Sequence, residues 1–150
     1  MTRTICAVLA LSTLAACATT GGGAAANPAH TGTPLIATLD GKAEVPGPGD
    51  PDGNGEFSGW FDPAMGRICY TLGVGSLKDP TMAHIHRGAA QVAGPPVVVL
   101  ANPAQNIADT CQAVAPALVS EIVANPAGFY VNVHTKAHPG GAIRAQLMKP

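Results

Sequence analysis

Two histidines separated by one residue stand in the stretch MAHIHRGAA, residues 82–90. In an extended strand, residues i and i+2 point to the same face, so His84 and His86 should project together while Ile85 packs on the other side. Imidazole nitrogens bind copper and zinc, which makes this pair a candidate part of a metal site. The alternative is a structural strand whose histidines donate hydrogen bonds to backbone carbonyls.

A third histidine occupies an equivalent position in GFYVNVHT, residues 128–135. Alternation along that stretch puts its two valines on one face, and Asn132 and His134 on the other. The final run, AIRAQLM (142–148), likewise offers an apolar face and a face that carries Arg144 and a glutamine. Separate strands therefore each predict one apolar and one polar face.

If these strands are neighbours in a sheet, His84, His86 and His134 converge. Three imidazoles make a plausible site for a single copper or zinc ion, with His138 or Glu44 as a fourth ligand. Because metal binding requires neutral imidazoles, we expect its affinity to collapse below about pH 6.

The elements that must position these side chains are short strands. Eighteen glycines and fourteen prolines predict many turns and few long helices. Runs with period-two character occur at 35–41, 55–61, 67–74, 82–86, 95–100, 128–135 and 142–148. Strands of this length and spacing indicate an all-β sandwich or barrel. The one predicted helix covers Ala115 to Asn125, where Pro126 ends it.

The first residues are typical of an export signal. Arg3 precedes an apolar run from Ile5 to Ala16 that is too short to span a bilayer, which takes about 20 residues. The run ends in LAAC (14–17), which resembles the lipobox of bacterial lipoproteins and implies cleavage before Cys17 and lipidation of that cysteine. The alternative is an ordinary signal peptide in which Cys17 is incidental.

These features divide the chain into a lipoprotein signal peptide (1–16), the lipidated cysteine with a flexible tether (17–34) and a folded domain (35–150). They predict a cell-envelope lipoprotein that faces the periplasm and contacts the membrane through its lipid. Ala18, where an aspartate would favour inner-membrane retention, favours the outer membrane. A net charge of −1 with no basic patch argues against a nucleic-acid partner.

The remaining cysteines form an even pair. Cys6 leaves with the signal peptide and Cys17 takes the lipid, so Cys69 and Cys111 are left in an oxidising compartment. We predict a disulfide between them that contributes about 3–4 kcal/mol to stability. Thiolate metal ligation is the alternative, although the two cysteines lack Cys-x-x-Cys spacing.

Several blocks of the sequence resemble, in order, those of the CHRD domain, a module named after chordin and found in bacterial secreted proteins. The blocks are GKAEVPGP (41–48), AHIHRGAAQVAGPPVVVL (83–100), FYVNVHT (129–135) and PGGAIRAQL (139–147). The resemblance extends from about residue 35 to 147. Gln91 and Ala145 stand where the family pattern has glycine.

The resemblance implies an immunoglobulin-like or superoxide-dismutase-like Greek-key β-sandwich, here with one short helix. It implies no established catalytic activity, so we assign no catalytic residue and expect a non-enzymatic, monomeric module with a binding or structural role. If the role is structural, we expect Arg144 to pair with an acid such as Glu44 or Asp40. The ligand would be an unidentified protein or a metal.

The His-x-His pattern is also similar to copper-zinc superoxide dismutase. That enzyme needs a fourth copper histidine, a bridging histidine and further zinc ligands. Beyond the candidate trio, the chain offers only His138 and the tether residue His30. A two-metal site cannot be assembled from these, so dismutase activity is not expected.

Overall fold

The computed structural model describes residues 31–150. The predicted signal peptide (1–16), the lipid site at Cys17 and the tether up to residue 30 lie outside the described residues. Strand β1 begins at Thr33, slightly before the domain start expected at residue 35. Within residues 31–150, no helix has the length and apolarity needed to cross a membrane.

Eight strands form one curled antiparallel sheet in the order β5-β4-β7-β8-β1-β2-β3-β6. They are β1 (Thr33–Asp40), β2 (Asn54–Asp62), β3 (Arg67–Gly75), β4 (Pro80–Arg87), β5 (Pro96–Leu100), β6 (Ile107–Ala113), β7 (Phe129–Thr135) and β8 (Ile143–Gln146). Helix α1 covers Pro116–Ala124, and short 3-10 helices cover Gly41–Ala43 and Pro126–Gly128. The prediction of an all-β fold with one short helix is confirmed.

The sheet curls until its two edge strands approach each other. Gln112 Nε2 on the edge strand β6 donates to the carbonyl of Val99 on the other edge strand, β5, at 2.8 Å. The backbone N–H of Ala101, next to β5, donates at 2.7 Å to Tyr70 Oη on β3, the neighbour of β6. The curl encloses one face of the sheet, which therefore forms the core.

The core follows from the alternation within each strand. The largest apolar side chains at or below 1% exposure are Leu35, Leu39, Phe57, Phe61, Ile68, Leu72, Ile85, Phe129, Ile143 and Leu147. Burying each such side chain contributes about 1.5–3 kcal/mol. Val119 and Ile122 of α1, both 0% exposed, complete the cluster.

Strand β6 is absent from the sequence-based prediction. Its sequence IADTCQA carries little apolar alternation, and Ala108 is its one buried apolar residue. The strand pairs with β3, where Cys69 lies directly opposite Cys111. The predicted disulfide joins these two residues, whose Cα atoms are 3.9 Å apart. The covalent bond thus stabilises an edge strand that has little core contact of its own.

We expect the double substitution Cys69→Ala/Cys111→Ala to lower the free energy of unfolding by about 3–4 kcal/mol, because it removes a cross-link that closes a loop with a sequence separation of 42. Denaturant titration with and without a reductant measures this. Reductant should destabilise the wild-type protein and leave the double variant unchanged. Equal stability of the two proteins without reductant would contradict the prediction.

A buried carboxylate fastens the loop between β1 and β2 to the sheet. Glu44 is 7% exposed and accepts a hydrogen bond from Asn132 Nδ2 on β7. Gly141 has φ +143°, and a Cβ there would lie 2.4 Å from Glu44 Oε2, so the close approach requires glycine. Burial raises the pKa of Glu44 to about 7, although the Asn132 hydrogen bond and the charge of Arg144 oppose the shift.

Glu44→Gln should therefore change how stability depends on pH. The folded protein keeps the Glu44 proton up to its pKa of about 7, whereas the unfolded chain loses it near 4.5. The wild-type protein thus loses stability relative to the glutamine variant as pH rises between these values. Denaturant titrations of both proteins from pH 4.5 to 8 measure the difference. If the difference in unfolding free energy between the two proteins is constant with pH, or grows in favour of the wild type as pH rises, the raised pKa of Glu44 is refuted.

Candidate metal centre

Three histidines lie together on the outer face of β4 and β7. The antiparallel register pairs His84 with Asn132 and His86 with Tyr130, and so places His134 one pair further along. The opposite face of the same strands is the core, where Ala83, Ile85, Val131 and Val133 are each 0% exposed. Because side chains alternate, burial of this apolar set forces the histidines outward.

The histidines converge as the sequence predicts. His84 Nδ1 lies 3.1 Å from His134 Nε2, and one ring nitrogen from each of His84, His86 and His134 lies within 4.8 Å of the other two. Bonds of about 2.0–2.1 Å to zinc place the nitrogens of a tetrahedral site about 3.3 Å apart. The His84–His134 separation already matches this spacing, and the other separations exceed it by at most about 1.5 Å.

The second nitrogen of two of these rings is fixed by a backbone carbonyl. His86 Nδ1 lies 2.9 Å from the carbonyl oxygen of Gly94, and His134 Nδ1 lies 3.0 Å from that of Pro139. Since a carbonyl can only accept, each Nδ1 carries the proton and each Nε2 of the neutral ring carries a lone pair. Metal-bound histidines are oriented in the same way. The sequence offered two alternatives: histidines bonded to backbone carbonyls, or histidines that converge on one site. The rings of His86 and His134 do both.

His86 Nε2 is buried and has no hydrogen-bond partner among residues 31–150. The residue as a whole is 8% exposed, so water cannot easily satisfy the lone pair. An unsatisfied buried polar atom costs about 1–3 kcal/mol. A cation shared with the two neighbouring imidazoles would satisfy it.

The environment favours the neutral form of all three imidazoles. Burial lowers the pKa of His84, His86 and His134 below the ordinary histidine value. Mutual repulsion lowers the pKa of His84 further, and the charge of Arg144 does so for His86, while the carbonyl hydrogen bonds oppose the shift in His86 and His134. Neutral rings are the form that binds metal.

A stack of planar groups supports His86 from one side. The Tyr130 ring lies parallel to the imidazole at 4.8 Å, and the Arg144 guanidinium lies 3.6 Å over the other side of the tyrosine. The backbone N–H of Gly94 donates to Tyr130 Oη at 3.1 Å. A Cβ on Gly94 would lie 1.6 Å from the carbonyl oxygen of Arg87, so the loop that supplies the His86 acceptor requires glycine there.

The prediction that Arg144 forms an ion pair with Glu44 or Asp40 is wrong. Arg144 Nη2 instead donates to the carbonyl of Val92 at 3.2 Å and to Gln146 Oε1 at 3.3 Å, and within residues 31–150 no salt bridge includes it. The stacking on Tyr130 holds the guanidinium between loop and sheet, where these uncharged oxygens are its nearest acceptors.

The expected fourth ligand is also absent from the cluster. Among the described residues, the group with metal-ligand spacing contains neither His138 nor Glu44. His138 Nε2 lies 3.9 Å from Asp50 Oδ2, and Glu44 is engaged by Asn132. Each residue has a partner that holds it elsewhere.

Sequence reasoning missed the groups that orient the ligands. The acceptors from Gly94 and Pro139 are backbone atoms in loops, and no side-chain pattern identifies them. Tyr130 could have been predicted from the sequence, since alternation puts it on the same strand face as Asn132 and His134. Its alternation alone would have placed it beside the histidines.

Comparison with known proteins agrees with this architecture. The family model of the CHRD domain matches residues 35–147, which include the whole sheet from the third residue of β1 onward and all three histidines. No curated protein and no solved structure matches the chain. The family match covers most of the sequence, and the chain therefore belongs to the CHRD domain family.

Proposed function

We propose that this protein is a non-enzymatic metal-binding module of the bacterial cell envelope. It binds one copper or zinc ion through His84, His86 and His134 and is anchored by a lipid on Cys17. Two observations carry the metal assignment: one ring nitrogen from each of the three histidines lies within 4.8 Å of the other two, and His86 Nε2 is buried without a hydrogen-bond partner among residues 31–150.

A purely structural role explains less of this arrangement. Carbonyl bonding of His86 and His134 accounts for one nitrogen of each ring, and an imidazole could provide that with its other nitrogen turned to solvent or to an acceptor. His134 Nε2 lies within hydrogen-bond distance of His84 Nδ1, at 3.1 Å, but His86 Nε2 is buried and has no hydrogen-bond partner among residues 31–150. A buried polar atom without a partner lowers stability unless something binds to it.

Binding, rather than catalysis, is the simplest use of this site. The CHRD resemblance brings no established activity, and a shared fold supplies none by itself. The rings of His86 and His134 are held by carbonyls through their protonated nitrogens, which suits fixed ligands better than groups that exchange protons during a reaction.

Metal content tests the proposal. The full chain, expressed in bacteria with its own N-terminus and without a histidine tag, should take up one equivalent of copper or zinc. His84→Ala and His134→Ala should lose it, because each removes a ligand. Elemental analysis after addition of Cu(II) or Zn(II) and gel filtration gives the stoichiometry.

His138→Ala is the matched control, since that histidine lies outside the cluster and near Asp50. It should retain one equivalent of metal. Thermal denaturation provides a second readout, because an ion that binds only the folded state raises the melting temperature. A wild-type protein that binds neither metal, with cluster variants that are merely less stable, would assign the histidines to packing and refute the proposal.

The membrane anchor is tested separately through Cys17. We expect the wild-type protein to incorporate radiolabelled palmitate in bacteria and to sediment with the membranes, since more than one acyl chain gives stable anchoring. Cys17→Ala should abolish both, whereas Cys6→Ala should change neither. Membrane association and labelling that persist in Cys17→Ala would refute lipidation at this residue.

A further inference from the structure

We propose that the thioether sulfur of Met82 is a fourth ligand of the histidine cluster and makes it a copper(I) site. The inference rests on the proposed function, because it requires that His84, His86 and His134 bind a metal. It goes further in naming the ion, its oxidation state and the residue that selects it.

The strand places Met82 on the same face as the histidines. Residues alternate along β4, and with Ala83 and Ile85 buried in the core, Met82, His84 and His86 all project outward. Exposure rises along this row, from 8% at His86, through the half-buried His84, to 44% at Met82. The cluster therefore opens to solvent at the end where the methionine lies.

The register brings Met82 next to two of the three ligands. It is the direct cross-strand partner of His134. Side chains paired in this way have Cβ atoms about 4.5–5.5 Å apart. His84 lies two residues from Met82 on the same strand, and its Nδ1 is 3.1 Å from His134 Nε2. The flexible methionine side chain can thus cover the open side of the ion.

The resulting donor set favours copper(I). Thioether is a soft ligand that selects Cu(I), whereas zinc sites are built from thiolate, imidazole and carboxylate. Among residues 31–150, no carboxylate or thiolate belongs to the cluster. Three imidazoles and a thioether are all neutral, and the buried Arg144 guanidinium nearby adds positive charge. Such surroundings accept a monovalent cation more readily than a divalent one.

The other described methionines provide matched controls. Met65 is 63% exposed in the turn between β2 and β3, and Met148 is 56% exposed beyond β8. Neither is a cross-strand partner of a histidine in the cluster. Replacement of methionine by leucine conserves volume, so Met82→Leu at this partly exposed position should leave the protein folded.

The experiment measures Cu(I) affinity of the full chain by competition with a chromogenic Cu(I) chelator under anaerobic conditions, and Zn(II) affinity by competition with a zinc indicator. Met82→Leu should lose at least about tenfold in Cu(I) affinity, with a Zn(II) change of less than about twofold. Met65→Leu and Met148→Leu should match the wild-type protein for both ions. X-ray absorption at the copper edge of selenomethionine protein should show a selenium neighbour that Met82→Leu lacks.

The outcomes separate the two levels of the proposal. If Met82→Leu binds Cu(I) as tightly as the wild-type protein and copper has no selenium neighbour, the Met82 assignment is overturned while the three-histidine site stands. If His84→Ala and His134→Ala also keep full affinity for both ions, the proposed function itself fails. Loss of Cu(I) affinity and of the selenium signal in Met82→Leu alone among the methionine variants would establish the fourth ligand.

Discussion

The register between β4 and β7 is the constraint on which the site depends. Ile85 and Val131 are paired across these strands, as are Ala83 and Val133, and all four side chains are fully buried. A slip of one residue would expose this apolar set and bury the histidines in the core. Hydrophobic burial on one face therefore fixes the position of the polar groups on the other.

Both faces of β7 are covered, whereas the outer face of the neighbouring strand β4 opens to solvent at Met82. Every residue of β7 is buried, including Tyr130, Asn132 and His134 on the outer face. Loops cover that face and supply carbonyl oxygens to His86, His134 and Arg144. Burial of polar side chains is unfavourable unless each finds a partner. Loops and neighbouring strands provide partners for most of them, whereas His86 Nε2 has none among residues 31–150.

The sequence predicted where the strands lie and which face each side chain occupies more successfully than which strands lie side by side. Alternation located seven strands and correctly grouped His84 with His86, because one face of each strand is strongly apolar. It missed β6, whose pairing rests on backbone hydrogen bonds and a disulfide rather than on an apolar stripe. Convergence with His134 depended on strand adjacency, a long-range property that spacing along the chain does not contain.

The fourth ligand was predicted wrongly because His138 and Glu44 were chosen by ligand type, which does not say where a side chain lies. His138 lies close to His134 in the chain, but β7 ends at Thr135 and the loop turns His138 toward Asp50. Glu44 has suitable chemistry, yet a buried hydrogen bond with Asn132 holds it in the loop anchor. In a sheet, the residues nearest to a side chain are its cross-strand partners and those two positions away on its own strand.

The outer faces of the two halves of the sheet differ in the residues that they carry. The half of the sheet formed by β2, β3 and β6 carries its disulfide on an outer face where Ser58 and Asp109 are exposed, which is typical of a stabilised surface. The half formed by β4, β7 and β8 buries histidine, asparagine and arginine under loops that require glycine at positions 94 and 141. Burial of the polar groups on this face costs free energy unless each is partnered, and loop carbonyls together with the hydrogen bond from Asn132 to Glu44 provide most of these partners.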